Sequence, residues 1–383
     1  MSGFGLDHLP YGIFSVGGDR PRVGVRFEDA VIDLASATSR LELDRPSLNA
    51  VMSLGPEAWR ELRAEVTELA EGSDTPAYSI DEVDLHLPFE VADYVDFYSS
   101  LEHATNVGRI FRPDQEPLLP NGRHLPVGYH GRAGTVVASG TPIVRPSGQL
   151  KSPHDDSPSH GPSRRLDIEA ELGFVVGAGS RLGEPVPAAA LGDHVFGVVG
   201  LNDWSARDIQ AWEYVPLGPF LGKSFATSIS HWVTPLAALD AAWVDLPGQD
   251  PRPLDYLDPD HARGLDIDVE VVLNGEVVSR PAYSSMYWGP AQMLAHLTVN
   301  GASLRTGDLF GSGTISGAGR DQRGSFLELS WGGKEPFALD VWPGGRTFLE
   351  DGDEVLLRYS APGTGGGRIT LGEVAGRIEP PRP

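Results

Sequence analysis

The chain has 383 residues, with 53 acidic side chains against 30 basic ones and a net charge of −23. Such a field repels nucleic acid and anionic membrane, so neither is expected as a partner. A hydrophobic content of 40% allows a sizeable core, and the absence of cysteine excludes disulfides, thiolate metal sites and thiol nucleophiles.

No apolar run approaches the roughly eighteen residues that span a bilayer, and Met1 is not followed by a basic and then apolar stretch, so a cytoplasmic location is expected. The length suggests one large domain and one smaller. With 47 glycines and 32 prolines, many turns and short strands follow, and the fold is expected to be mainly β.

In chain order, residues 1–88 read as a small β-barrel unit. Short strands are predicted over 11–16, 22–27 and 30–34, broken by Gly and Asp turns. A helix follows from Pro56, with Ala58, Trp59, Leu62, Val66 and Leu69 on one apolar face, and residues 72–76 end it. From about residue 90, short strands alternate with Gly/Pro-rich loops, and helices are predicted at 205–212 and 289–297. No repeated βαβ period is present, which argues against a doubly wound sheet. Residues 150–164, punctuated by Pro153, Pro158 and Pro162, read as an exposed loop in which His154 and His160 are solvated.

The densest acidic pattern lies at 166–172, where Asp167, Glu169 and Glu171 alternate with Leu166, Ile168, Ala170 and Leu172. The apolar run 173–176 that follows suggests burial on both faces, which puts the acids inside a sheet. Buried carboxylates take up protons unless a cation meets them. Same-face strand residues lie roughly 6.5–7 Å apart, so Glu169 and Glu171 can converge on one oxygen-coordinated Ca²⁺ or Mg²⁺. Alternation alone is weak evidence, because Asp266, Asp268 and Glu270 repeat it. That second strand runs into Asn274-Gly275, a two-residue hairpin signature, so its acids are expected to face solvent.

Polar and aromatic side chains concentrate in three further segments, 96–112, 119–132 and 202–225. An anionic substrate would need a cationic pocket here, and only Lys151, Lys223 and Lys334 are lysines. The strings Asp96-Phe97-Tyr98-Ser99-Ser100, His124-Leu125-Pro126-Val127-Gly128-Tyr129-His130-Gly131-Arg132 and Asn202-Asp203-Trp204-Ser205-Ala206-Arg207-Asp208-Ile209-Gln210, with Gly222-Lys223-Ser224-Phe225, Gly313-Thr314-Ile315-Ser316-Gly317 and Leu327-Glu328-Leu329-Ser330-Trp331, closely resemble the fumarylacetoacetate hydrolase family. The resemblance runs from about residue 90 to 331. The first of these strings continues through Leu101-Glu102-His103-Ala104-Thr105-Asn106-Val107-Gly108, where Leu101-Glu102 departs from the basic and amide residues that usually precede the histidine, and the stretch after Trp331 is not diagnostic.

The resemblance implies an SH3-like N-terminal β-barrel over 1–88 and a large C-terminal mixed β-sandwich or roll over 89–383. It implies Asp96, Glu169, Glu171 and Asp203 as metal carboxylates for Ca²⁺ and/or Mg²⁺, with Lys223 and Thr227 close to the ion, and it returns Asp167 to a structural role. Taken alone, Asp203 reads as a helix N-terminal acid before Ser205. His103 is implied as general base, Glu328 as its orienting carboxylate, and Arg207, Gln210 and Lys223 as the oxyanion group. Tyr98, Arg112, Tyr129, Gln210, Tyr214 and Thr314 are implied to position substrate, Arg112 facing a carboxylate.

The implied reaction is hydrolysis of the carbon–carbon bond of 4-fumarylacetoacetate, an anionic diketo acid, to fumarate and acetoacetate, the last step of tyrosine and phenylalanine breakdown, in a homodimer. Acylpyruvate hydrolysis, decarboxylation or isomerisation of a related keto acid, and a non-catalytic metal-binding scaffold remain alternatives. A serine hydrolase is disfavoured by the lack of a Gly-x-Ser-x-Gly elbow.

Overall fold

The computed structural model describes residues 3–340 and 342–382. Three N-terminal strands, β1 (Tyr11–Ser15), β2 (Arg22–Phe27) and β3 (Ala30–Asp33), pair antiparallel with Tyr11 opposite Val25 and Gly24 opposite Asp33. Helix α1 (Pro56–Glu71) starts with proline, whose missing N–H would be unpaired there in any residue, and it buries Leu62 and Val66. The short strand β4 (Ala77–Ser79) returns the chain to β3.

The edge of β1 is shared. Phe14 pairs with Leu85, whereas Tyr11 pairs with Val233 of the larger unit. The N-terminal strands are therefore the end of an open mixed sheet, and hydrogen bonding among the described residues does not close them into the expected SH3-like barrel. The core is continuous across this junction, since Ile13, Val25, Leu62 and Val66 pack in one cluster with Val175, Val199 and Leu201.

That sheet has 13 strands, and the part that matters for the site uses β5 (Tyr94–Phe97), β6 (Gly128–His130), β8 (Ala170–Val176), β9 (Val195–Asp203), β11 (Thr227–Ile229), β12 (Trp232–Pro235) and β15 (Leu309–Gly311). Its order is β4-β3-β2-β1-β12-β9-β8-β15-β5-β6, with β11 beside β9. A separate ribbon pairs β7 (Leu166–Asp167) with β10 (Ser205–Ala206). The acidic segment at 166–172 is thus two strands and not one: Ile168 and Glu169 leave the ladder. The cause lies on β9, where Asn202 Oδ1 accepts the Glu169 N–H at 3.2 Å and the Asp203 N–H donates to the Glu169 carbonyl at 3.2 Å.

The second acidic strand behaves differently. In the five-stranded sheet, β13 (Asp268–Leu273) turns through Asn274 and Gly275, both at positive φ (50° and 87°), into β14 (Glu276–Ser279), and β16 (Glu354–Pro362) and β17 (Arg368–Glu379) complete it with Ile143–Val144. Positive φ at both central residues gives the hairpin its twist-compatible turn. Asp268 is exposed and pairs with Arg368, and Glu270 pairs with Arg280. The opposite faces, Val269, Val271, Leu357 and Val374, pack on Leu172, Phe174 and Val198 of the large sheet. Each such burial contributes about 1.5–3 kcal/mol.

Four further helices matter: α2 (Leu101–Phe111), α3 (Arg207–Glu213), α4 (Pro290–Thr298) and α5 (Phe326–Leu329). The predicted helix at 205–212 begins two residues later, because Ser205 and Ala206 form β10. Helix α2 was not expected from the sequence. The predicted loop at 150–164 is partly a hairpin, Ser147–Leu150 against Ser159–Pro162, with His154 and His160 both exposed.

Candidate active site and metal centre

Register places the acids. Glu171 on β8 lies opposite Leu201, Asp96 on β5 lies opposite Gly311 of β15, and Asp203 ends β9 opposite Thr227. Glu169 enters from the break before β8. All four carboxylates are buried, and one oxygen of each lies within 4.8 Å of the others. Gly311 makes this possible, since a Cβ there would meet Asp96 Oδ1 at 2.7 Å and Glu171 Oε2 at 2.9 Å. Because α3 starts only at Arg207, Asp203 does not cap it, and the Asp203 side chain instead takes three donors: Lys223 Nζ at 2.7 Å, Thr227 Oγ1 at 2.8 Å and Tyr129 OH at 2.9 Å.

Charge is distributed unevenly over the cluster. Lys223 also donates to Glu169, and Arg207 Nη2 lies 2.8 Å from Glu169 Oε1. Burial alone would raise the Glu169 carboxyl, but Lys223 and Arg207 outweigh it and hold the group well below the usual carboxylate range. At Asp96 the Lys223 charge is outweighed. Burial, then repulsion from Asp203, pushes the carboxyl up to about 8, and burial with the Asp96 charge pushes Glu171 well above its ordinary value. Asp96 Oδ1 and Glu171 Oε1 are buried with no hydrogen-bond partner.

Two unpaired oxygens within an all-carboxylate cluster are what a hard divalent cation would satisfy. The donor set is oxygen only, unlike the nitrogen and sulfur sets that hold zinc. The cluster fits a divalent metal. Lys223 cannot ligate it through its ammonium, which has donors only and whose basicity is raised by Asp203 and Glu169 against the effect of burial.

A buried imidazole stands beside the cluster. The Ser100 hydroxyl caps α2 by accepting the His103 N–H at 3.1 Å, and this sets the imidazole with Nδ1 2.7 Å from Glu328 Oε2. Glu328 on α5 is fully buried and accepts from Asn106 Nδ2, Ser316 Oγ and Ser325 Oγ, each at 2.9 Å. Burial opposes its charge, but His103 and these donors hold it below the usual range. An ionised carboxylate only accepts, so the proton sits on Nδ1 and a neutral His103 has a free lone pair on Nε2. Nε2 lies 3.9 Å from Glu169 Oε1, the oxygen that Arg207 Nη2 also faces. Imidazole and guanidinium therefore flank one point.

The remaining expected residues divide. Gln210 Oε1 accepts from Arg207 Nη1 at 3.1 Å, and the Tyr98 ring meets His103 edge-on with centroids 5.2 Å apart. Arg112 ends α2 with Nη2 on the Pro117 carbonyl at 3.0 Å and Nε buried without a partner; Thr314 Oγ1 is likewise buried and unpaired. Tyr214 follows α3, partly exposed and outside this hydrogen-bonded set. A cavity of about 120 Å³ opens onto Asp203, Lys223 and Thr227, walled by Tyr129, His130 and Arg132. Asn106, Ser316, Ser325 and Gly311 are additional to the expected set. Asn106 and Ser316 lie in segments that carry the family resemblance, but nothing in the local spacing marked any of the four.

Residues 93–378 match the family described as Fumarylacetoacetate (FAA) hydrolase C-terminal, and residues 7–88 match Fumarylacetoacetase N-terminal. The chain is 47% identical to the fumarylacetoacetase of Rattus norvegicus, covering 99% of this chain and 97% of that protein. It is 40% identical to that of Arabidopsis thaliana, covering 100% and 97%. Among solved structures it resembles a fumarylacetoacetate hydrolase from Exiguobacterium antarcticum, with a TM-score of 0.58 at 18% identity over 97% of this chain and 99% of that one. A maleylpyruvate hydrolase from Sphingobium sp. SYK-6, solved with manganese (II) ion and pyruvate, gives 0.56 at 16% identity over 98% and 100%. By its sequence along nearly its whole length, the chain belongs to the fumarylacetoacetase family.

Proposed function

We propose that the chain hydrolyses the carbon–carbon bond of 4-fumarylacetoacetate to fumarate and acetoacetate. The observation that carries this reading is the buried His103–Glu328 pair aimed at the edge of the four-carboxylate cluster. Near-full-length identity to relatives named fumarylacetoacetase supports the substrate.

In this reading His103 Nε2 takes a proton from water while Glu328 steadies the resulting imidazolium through Nδ1–H. The water oxygen bonds to the substrate carbonyl carbon, and the alkoxide so formed is met by Arg207, Gln210 and Lys223. The carbon–carbon bond then breaks. Its electron pair leaves as the acetoacetate enolate, which takes the proton from His103 at carbon, and the acyl half departs as fumarate, its new carboxyl group releasing the second water proton to solvent. A divalent cation held by Asp96, Glu169, Glu171 and Asp203, Ca²⁺ and/or Mg²⁺ by their hard oxygen donors, supplies Lewis-acid stabilisation of enolate oxygens.

Tyr98, Tyr129, Arg112, Tyr214 and Thr314 position the substrate. Arg112 Nε and Thr314 Oγ1, buried without partners, are donors available to it. Arg207 and Lys223 beside the cluster reconcile an anionic substrate with a net charge of −23. The protein works in the cytoplasm as a homodimer, with residues 1–88 as a supporting unit and 89–383 carrying the chemistry. No helix of the described residues is long and apolar enough to cross a membrane. Fumarylacetoacetate added to metal-replete protein should lose its conjugated-diketone absorbance; no turnover would refute the assignment.

A further inference from the structure

The guanidinium on one side of the site and the carboxylate behind the histidine come from distant parts of the chain, Arg207 from α3 and Glu328 from α5. One side chain grips both. Asp167, the last residue of β7, is fully buried. Its Oδ2 accepts from Arg207 Nε at 2.8 Å and from the backbone N–H of Leu327 at 3.1 Å; its Oδ1 accepts from the N–H of Phe326 at 2.7 Å and of Ile168 at 2.8 Å.

Each contact has a geometric consequence. Holding Nε fixes the guanidinium plane, which leaves Nη1 on Gln210 and Nη2 facing Glu169 Oε1. Holding the Phe326 and Leu327 amides fixes the first turn of α5, immediately before Glu328. A purely structural cap for that turn would not need Asp167 to be charged. Ser325 already caps it through its hydroxyl, and a neutral acceptor could serve the remaining amides. The charge is matched to Arg207.

We propose that Asp167 is a positioning residue of the hydrolytic reaction: it ties Arg207 and Glu328 into one frame, so that the oxyanion cation and the partner of the base keep a fixed separation. The proposal rests on the roles assigned above to Arg207 and Glu328. Asp167 itself reaches neither water nor substrate, and it acts through those two groups.

Asp167→Asn tests it, because asparagine preserves size and its one amide oxygen can keep the Phe326 and Ile168 N–H groups at the Oδ1 position, while its NH2 at the Oδ2 position neither accepts from Arg207 Nε nor offers it charge. The expected result is a fall in kcat of roughly 10- to 100-fold with KM within about threefold of wild type, and unchanged calcium affinity by calorimetry. In an Arg207→Lys background, which lacks Nε, the same substitution should cost less than threefold. Independently of any substrate, the low-field Nδ1–H proton resonance of His103 should shift in Asp167→Asn. Should that variant fail to fold, Asp167→Glu provides the same cycle and the same resonance. Unchanged kcat, equal losses in both backgrounds, or an unmoved resonance in a folded variant would overturn the proposal. Wild-type protein inactive on fumarylacetoacetate would overturn the substrate reading instead, and the resonance would still report on the positioning.

Discussion

His103 Nδ1 and Glu328 Oε2 lie 2.7 Å apart with both side chains buried, although 225 positions separate them in the chain. The pair makes Nε2 the free nitrogen of the imidazole. His103→Ala should therefore lower kcat by roughly 10²- to 10⁴-fold and leave the divalent-metal content unchanged. Glu328→Gln should also lower kcat, because an amide at this position can donate to Nδ1 and favour the wrong tautomer. Steady-state kinetics beside metal analysis of both variants checks this, and retained activity in His103→Ala would remove it as the base.

The metal cluster is tested apart from turnover. Glu171 has one oxygen on the Gly313 N–H at 3.1 Å and the other unpaired, an arrangement that a divalent cation would satisfy. Glu171→Gln should weaken calcium or magnesium binding by more than roughly tenfold in a calorimetric titration, the scale seen when a group that merely supports a metal ligand is lost. Unaltered affinity would exclude Glu171 from the site.

Gly311 predicts a steric effect. The added Cβ of Gly311→Ala would fall 2.7 and 2.9 Å from oxygens of Asp96 and Glu171, and those carboxylates would have to turn away. Divalent affinity should drop, while the fold loses about 1–3 kcal/mol as for other overpacked sites. Chemical denaturation together with metal titration separates the two effects.

Protons and metal compete for the same oxygens. Asp96, raised to about 8 by burial and by Asp203, and Glu171, raised well above its ordinary value, bind protons in the folded metal-free protein at pH values where the unfolded chain has released them. Their contribution to stability is full below about pH 4 and is lost as pH rises toward 8. A cation displaces those protons, so its affinity should strengthen between pH 6 and 8, by about tenfold per unit for each proton released. Titrations across that range, with proton release read from buffers of different ionisation enthalpy, check the sign; a pH-independent affinity would contradict it.

Alternation of apolar and acidic residues, a local property, drew attention to Glu169 and Glu171 but fitted Asp266, Asp268 and Glu270 equally, so it did not single out the site. The break at Ile168 and Glu169 was not legible, since it is imposed by Asn202 on a neighbouring strand. Helix α2 was legible in principle, since Leu101, Ala104, Val107 and Phe111 recur at helical spacing, although its buried face also carries His103 and Asn106. The pairing of β1 with both Leu85 and Val233 likewise depends on tertiary contacts, which an N-terminal strand pattern does not contain. Asp96, Asp203, His103 and Glu328 were legible only through family likeness, since a single acid or histidine has no local signature. Of the three lysines, Lys223 bridges Glu169 and Asp203, and Lys151 lies over Trp212.

The most direct test of the central claim is the turnover of fumarylacetoacetate by purified protein supplied with calcium or magnesium, followed by loss of the conjugated-diketone absorbance and identification of both products. The account predicts fumarate and acetoacetate in equal amounts, with the rate abolished by a chelator and restored by the metal. Intact substrate under those conditions, with an acylpyruvate cleaved in its place, would contradict it.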